Sequence, residues 1–190
     1  MTDTTTTTAT PLPEGLAAGT YAIDASHSEV GFVARHAMVT KVRGRFTEVE
    51  GTITFADSVE ASSANATISA ASVTTGSEQR DGHLQSPDFF DVATYPSITF
   101  ASTAVRAEGG EFVLEGDLTI KDVTKRVTVP VEFEGTATDP FGNQRAGFSA
   151  AFDVDREDWG LTWNAALETG GVLVSKKVKL QLDISAIKQA

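Results

Sequence analysis

From Phe112 the apolar residues fall on every second position: Phe112, Leu114, Gly116, Leu118 and Ile120, against Val113, Glu115, Asp117, Thr119 and Lys121. A period of two is the signature of a β-strand with one dry face and one largely wet face. The alternation returns at Val127, Val129, Val131 and Phe133, and at Ala146, Phe148, Ala150, Phe152 and Val154. It closes the chain at Val172, Val174, Val178, Leu180, Leu182 and Ile184, where Lys176 interrupts the dry row. Earlier rows run through Val30, Phe32, Ala34 and His36, through Ala64, Ala66, Ile68 and Ala70, and from Ile98 to Phe100. Val42, Gly44 and Phe46 share one parity and Val49, Gly51, Ile53 and Phe55 the other, so a bulge is expected near Glu48. Pro130 falls on a wet parity and lacks a backbone donor, which predicts an edge position or a bulge.

Turn chemistry separates the rows. Gly109-Gly110 is a two-residue hairpin signal, Asp139-Pro140-Phe141-Gly142-Asn143 is a turn cluster, and Gly170-Gly171 precedes the last strand. A helix is expected over Ser77 to Leu84 with Ser77 as its cap, and a second short one around Asp24–Ser28. The rest reads as about eight or nine strands with short connections. Strands with one dry face must close on something, and neighbouring hairpins favour an eight-stranded antiparallel β-barrel over a sandwich. The dry rows hold many small residues, among them Ala34, Gly44, Gly51, Ala64, Ala66, Ala70, Gly116, Ala146 and Ala150. Set against rows of Phe, they leave either interdigitated packing or a channel.

Composition removes several function classes. The formal net charge of −11 opposes nucleic acid and anionic membrane surfaces, which demand a basic footprint. The absence of cysteine removes disulfides, thiol nucleophiles and thiolate-held metal clusters. No apolar run approaches the length of a membrane span, and residues 1–18, Thr-rich with Pro11 and Pro13, lack the charge and apolar pattern of a secretory signal. They read as a flexible tail before a domain over 19–190, and a cytoplasmic location is expected. The three histidines, His27, His36 and His83, have no metal-ligand spacing, and no nucleophile elbow occurs, so neither a metal nor a catalytic residue is assigned.

One segment is more specific. Arg80-Asp81-Gly82-His83-Leu84-Gln85-Ser86-Pro87-Asp88-Phe89-Phe90-Asp91, followed by Tyr95-Pro96-Ser97-Ile98-Thr99-Phe100, resembles the signature of the YceI-like family. Tyr21 to Ser28, His36, Gly44-Arg45-Phe46, Gly116-Asp117-Leu118-Thr119-Ile120, Gly147-Phe148 and Arg156-Glu157-Asp158-Trp159-Gly160 resemble its other elements in order. Two places depart from the family pattern: Asp122 stands where glycine is common, and Lys176-Lys177 precede Val178-Lys179 where the family tends to acidic residues before the Val-Lys pair. The resemblance implies a lipocalin-like barrel whose apolar pore holds a polyisoprenoid, such as an isoprenoid-quinone tail or a polyprenyl phosphate.

On that reading no cofactor is needed beyond the bound lipid. The partner is the isoprenoid, with no nucleic acid, no membrane span, and a homodimer left open. The pore candidates are Phe32, His36, Phe46, Ala66, Phe89, Phe90, Phe100, Phe112, Phe133, Phe148, Phe152 and Trp159. Arg80, His83, Arg156 and Lys176 are the head-group candidates; the competing role for Arg80 and Arg156 is an ion-pair network with Asp81 that closes one barrel end. The leading reading is a non-enzymatic lipid carrier or reservoir. The alternatives are a packed, stress-associated scaffold without ligand and a small-molecule enzyme using the His and Arg groups.

Overall fold

The computed structural model describes residues 8–190. The chain folds through β1 (Gly19–Ile23), β2 (Glu29–His36), β3 (Thr40–Phe46), β4 (Val49–Phe55), β5 (Ser63–Ser69), β6 (Val73–Thr74), α1 (Glu78–Gln85), β7 (Ser97–Glu108), β8 (Glu111–Ile120), β9 (Val123–Thr138), β10 (Gln144–Asp155) and β11 (Lys177–Lys188). All pairings are antiparallel, and β1 closes the ring by pairing with both β4 and β11.

Several of these segments are halves of one stave. β1 and β2 follow one another along β11, opposite residues 186–188 and 179–183, with a 3-10 turn at Ala25–His27 between them. β3 and β4 are likewise successive, β3 against β2 and β4 against β1 and β5. β5 runs on through the 3-10 turn Ala70–Ser72 into β6, which pairs with β3. With these three pairs of halves joined, the sheet is a closed barrel of eight antiparallel staves.

The parity switch near Glu48 is therefore a break between two segments and not a bulge within one. Thr47 and Glu48 leave the ladder and donate from their backbones to the Ser72 carbonyl and hydroxyl, and Ser69 donates to the Glu48 carbonyl. True register shifts fall elsewhere. One lies on β7 between Ser102 and Ala104, and the other on β9 opposite Gly147 and Phe148. Each puts one extra residue in a strand and re-aims the residues beyond it. Pro130 sits where β9 still pairs with β8 but its β10 pairing has ended at Val131, an edge position that needs no donor.

The helix has the expected start: the Ser77 hydroxyl accepts from the Arg80 backbone. α1 and the segment that follows it lead into one barrel end, together with the 3-10 turn Arg156–Trp159. There Phe89, Trp159 and Leu161 are buried against Leu118, Val127 and Ile68, forming a floor.

The opposite end is crossed by a strap. The backbone of Val59 donates to the Thr10 carbonyl, and the Thr10 amide and hydroxyl donate to the Glu60 carboxylate at 3.0 and 2.6 Å. Leu16 is buried with Tyr21, Phe55, Ala146 and Ala186, and Leu12 packs on the same cluster. From Thr10 onward the segment expected as a tail lies against the barrel, where its two leucines cover apolar surface that would otherwise face water. Residues 1–7 lie outside the described residues.

Candidate functional site

Between floor and strap the barrel holds a cavity of ≈ 230 Å³. Its wall is made by the dry rows of nine strands, with Ile53, Ala66, Phe100, Leu114, Ala150 and Leu182 as representative members. Among the described residues none of the lining side chains is titratable. The lining extends to Ser62 and Ser63 before and at the start of β5, and to Val105 and Phe112 on the β7–β8 pair. β7 pairs with β5 as far as Ala101, and beyond it the Ala64 amide donates to the Ser102 hydroxyl at 2.9 Å; through Ser62 and Ser63 the lining reaches the rim beside the strap.

The pore candidates divide by position. Ala66, Phe100, Phe112, Phe148 and Phe152 line the cavity. Phe133 stands beside it, with its ring 5.5 Å from that of Phe148. Phe46 is buried below it, between Phe32 at 5.8 Å and Phe90 at 5.6 Å. Phe89 and Trp159 belong to the floor, and the Trp159 indole donates to the Leu118 carbonyl at 2.9 Å. These residues seal one end of the barrel and do not line the cavity. His36 is exposed at the β2–β3 hairpin and continues its dry row past the end of the barrel, so it does not reach the cavity.

The small residues also divide. Ala64, Ala66 and Ala150 line the cavity, whereas Ala70 and Ala146 are fully packed. Gly44 and Gly116 leave no space: the Phe32 and Phe100 rings lie across them, where a Cβ would collide. Rows of Phe against rows of Gly and Ala thus give interdigitation at some levels and free volume at others.

The head-group candidates all gather at the floor end and none lines the cavity. Arg80 donates from Nε to the Thr75 hydroxyl at 2.6 Å and from Nη2 to the Thr75 carbonyl at 2.9 Å. Asp81 accepts from the Thr75 amide and hydroxyl, so Thr75 stands between Arg80 and Asp81 in place of the expected direct ion pair. His83 pairs with Asp88 at 2.9 Å and is flanked edge-on by Phe89 and Trp163. Lys176 is exposed at the rim, 3.0 Å from Glu157.

Arg156 is buried, yet its guanidinium meets backbone carbonyls and no carboxylate: those of Ser175, Leu161 and Val174. Burial pushes its pKa down against the raising influence of Glu157 and Asp155. With its donors committed to carbonyls, it ties the 156–176 loop to the barrel and is not free for a phosphate. Sequence reasoning missed the aliphatic wall residues Ile53, Val105, Leu114, Leu180, Leu182 and Ile184 as site residues. Most of them share dry rows with the chosen Phe, and that parity was the signal available.

A closed antiparallel barrel around an apolar cavity defines a lipocalin-like protein. Residues 21–186 match the YceI-like domain, and the chain belongs to the YceI-like family. The UPF0312 protein SAS2572 of Staphylococcus aureus (strain MSSA476) is 39% identical over 166 residues, covering 85% of this chain and 93% of the relative. The crystal structure of Burkholderia cenocepacia BcnA superposes with a TM-score of 0.74 at 25% identity, covering 86% of this chain and 98% of that one. A polyisoprenoid binding domain from Saccharophagus degradans, implicated in plant cell wall breakdown, has the same fold, with a TM-score of 0.69 at 19% identity over 89% of this chain and 98% of that one.

Proposed function

We propose that the protein binds the hydrocarbon chain of an isoprenoid, such as a quinone tail or a polyprenyl phosphate, in the barrel cavity and serves as a carrier or reservoir without catalysing a reaction. The observation that carries this reading is a cavity walled by aliphatic and aromatic side chains with no titratable group in its lining. Such a wall recognises a ligand by burial of apolar surface, about 0.8 kcal/mol for each CH2 at best, and offers its serine hydroxyls no titratable side chain as a general base. The polyisoprenoid binding domain of Saccharophagus degradans supports the choice of ligand through its shared fold. The rim beside Ser62 and Ser63 lets a polar head stay in water while the chain enters, so no charged residue has to grip it. This reading differs from the expectation of a head-group site at Arg80, His83, Arg156 and Lys176, which lie at the closed end.

Organic extraction of the purified protein followed by mass spectrometry tests it. The expected result is an isoprenoid lipid in near-stoichiometric amount, or its uptake when the folded protein is offered one. A folded protein that neither carries nor takes up any isoprenoid would instead favour the ligand-free scaffold.

A further inference from the structure

The cavity is short for a polyisoprenoid. An apolar cavity of about 150 Å³ accepts one benzene, six carbons. On that scale ≈ 230 Å³ accepts on the order of nine carbons, about two isoprene units. The floor cannot extend it, because Phe89 and Trp159 are buried there at 5% and 3% exposure. A longer chain has to leave by the rim, and the surface it meets there is already occupied. Leu16 is buried against Phe55 and its neighbours, and Leu12 packs on the same cluster with Phe133 and Phe148. Phe55 and Phe148 also line the cavity, so the surface under the strap is continuous with the cavity wall. Two leucine side chains, each a branched C4 group, stand where the next units of a prenyl chain would lie.

Resting on the carrier reading, we propose that the strap over residues 10–18 occupies an outer subsite of the lipid tunnel and competes with the ligand for it. A chain of about two isoprene units binds with the strap in place, and a longer one displaces Leu12 and Leu16. The polar latch suits such exchange. Thr10 is held by the exposed Glu60 carboxylate and by one backbone bond from Val59, contacts that water can replace. The strap therefore sets the length of chain that binds without rearrangement and shields the outer apolar surface when no long chain is present.

The test is a chain-length series of quinones with tails of two, four and eight isoprene units, offered to the full chain and to the L12S/L16S variant. Burial of one Leu is worth about one to two tenfold steps in a competing equilibrium. The variant is expected to bind the two-unit tail as the unmodified protein does and the eight-unit tail at least tenfold more tightly. Glu60→Ala weakens the latch without touching the apolar cluster; it is expected to shift the same long-chain preference in the same direction by a smaller factor. Hydrogen exchange of the unmodified protein should show residues 10–18 losing protection with the eight-unit tail and keeping it with the two-unit tail. Long-chain affinity that is unchanged or weakened in L12S/L16S and unchanged in Glu60→Ala, with the strap still protected when the long tail is bound, overturns the competition while leaving the carrier reading intact. Failure of every tail length to bind the folded protein overturns both.

Discussion

Among the described residues Arg156 is the one charged side chain that is buried. A buried guanidinium normally meets a carboxylate, because an unpaired charge is costly to desolvate. Here carbonyls of Ser175, Leu161 and Val174 take its donors, and its carbon centre lies 5.9 Å from the Phe89 ring centroid. Removing the side chain leaves buried carbonyls without donors. Arg156→Leu is expected to destabilise the fold by about 3 kcal/mol, since hydrogen bonds to charged groups contribute roughly 1.5–3 kcal/mol each. Arg156→Lys should recover little of it, because an ammonium cannot span carbonyls set for a planar fork. Urea unfolding of the two variants checks this; full stability in either would mean the loop is held by other contacts. The sequence marked Arg156 as interesting but misread its partners. Backbone carbonyls leave no mark in the residue pattern, so a network of side-chain charges and a ligand head group were the arrangements that could be read from it. The same limit applied at Gly116: its parity was legible, whereas the Phe100 ring lying across it was not.

At the scale of elements, the rim of the strap end is tied together by charge. Arg145, on β10, donates from Nη1 to Asp24 at 2.8 Å and from Nε to Asp139 at 2.9 Å. It thereby joins the turn between β1 and β2 to the turn between β9 and β10. The Ser26 side chain first, then Arg145, holds the Asp24 carboxyl well below the ordinary carboxylate range. Asn143 does the same for Asp139, with further bonds from Arg145 and the Phe141 amide. A depressed carboxyl stabilises the fold above its unfolded pKa, about 3.9, and that stabilisation is lost as pH falls toward the folded value. Thermal stability is expected to drop between about pH 5 and pH 3, and to drop less steeply in Asp24→Asn/Asp139→Asn. Parallel melting curves for the two proteins across that range would show that these turns do not set the acid limit. Element boundaries were legible where turn residues announced them, as at Gly109-Gly110 and at the Ser77 cap. They were misread at Glu48, because a bulge and a strand break both switch parity and differ only in which strands pair afterwards. The strap's contacts were illegible for a related reason: a Thr-rich segment with isolated leucines has the composition of a tail, and only the barrel rim supplies the surface that Leu12 and Leu16 cover.

For the whole molecule, the dry rows with their neighbouring hairpins favoured a closed antiparallel barrel, since the strands had one face to hide and most had short connections to a neighbour; the long segments 75–96 and 156–176 are the ones that build the floor. Whether the interior was filled could not be read from the dry rows. Packing and free volume coexist: Ala70 and Ala146 are packed, while Ala66 and Ala150 face the cavity. That difference makes the central claim testable with the same two small residues. In a filled barrel, Ala66→Leu/Ala150→Leu overpacks the core and costs about 1–3 kcal/mol per site. In a barrel that keeps volume for a ligand, the added methylenes occupy that volume and leave stability unchanged or raised. The most direct measurement is saturation uptake of a two-unit isoprenoid quinone by the unmodified protein and by this variant, with a melting curve recorded on each. Saturable one-to-one uptake by the first, abolished in the second with its melting temperature kept, is the predicted result. A destabilised variant, together with an unmodified protein that takes up nothing while folded, would contradict a lipid-binding cavity.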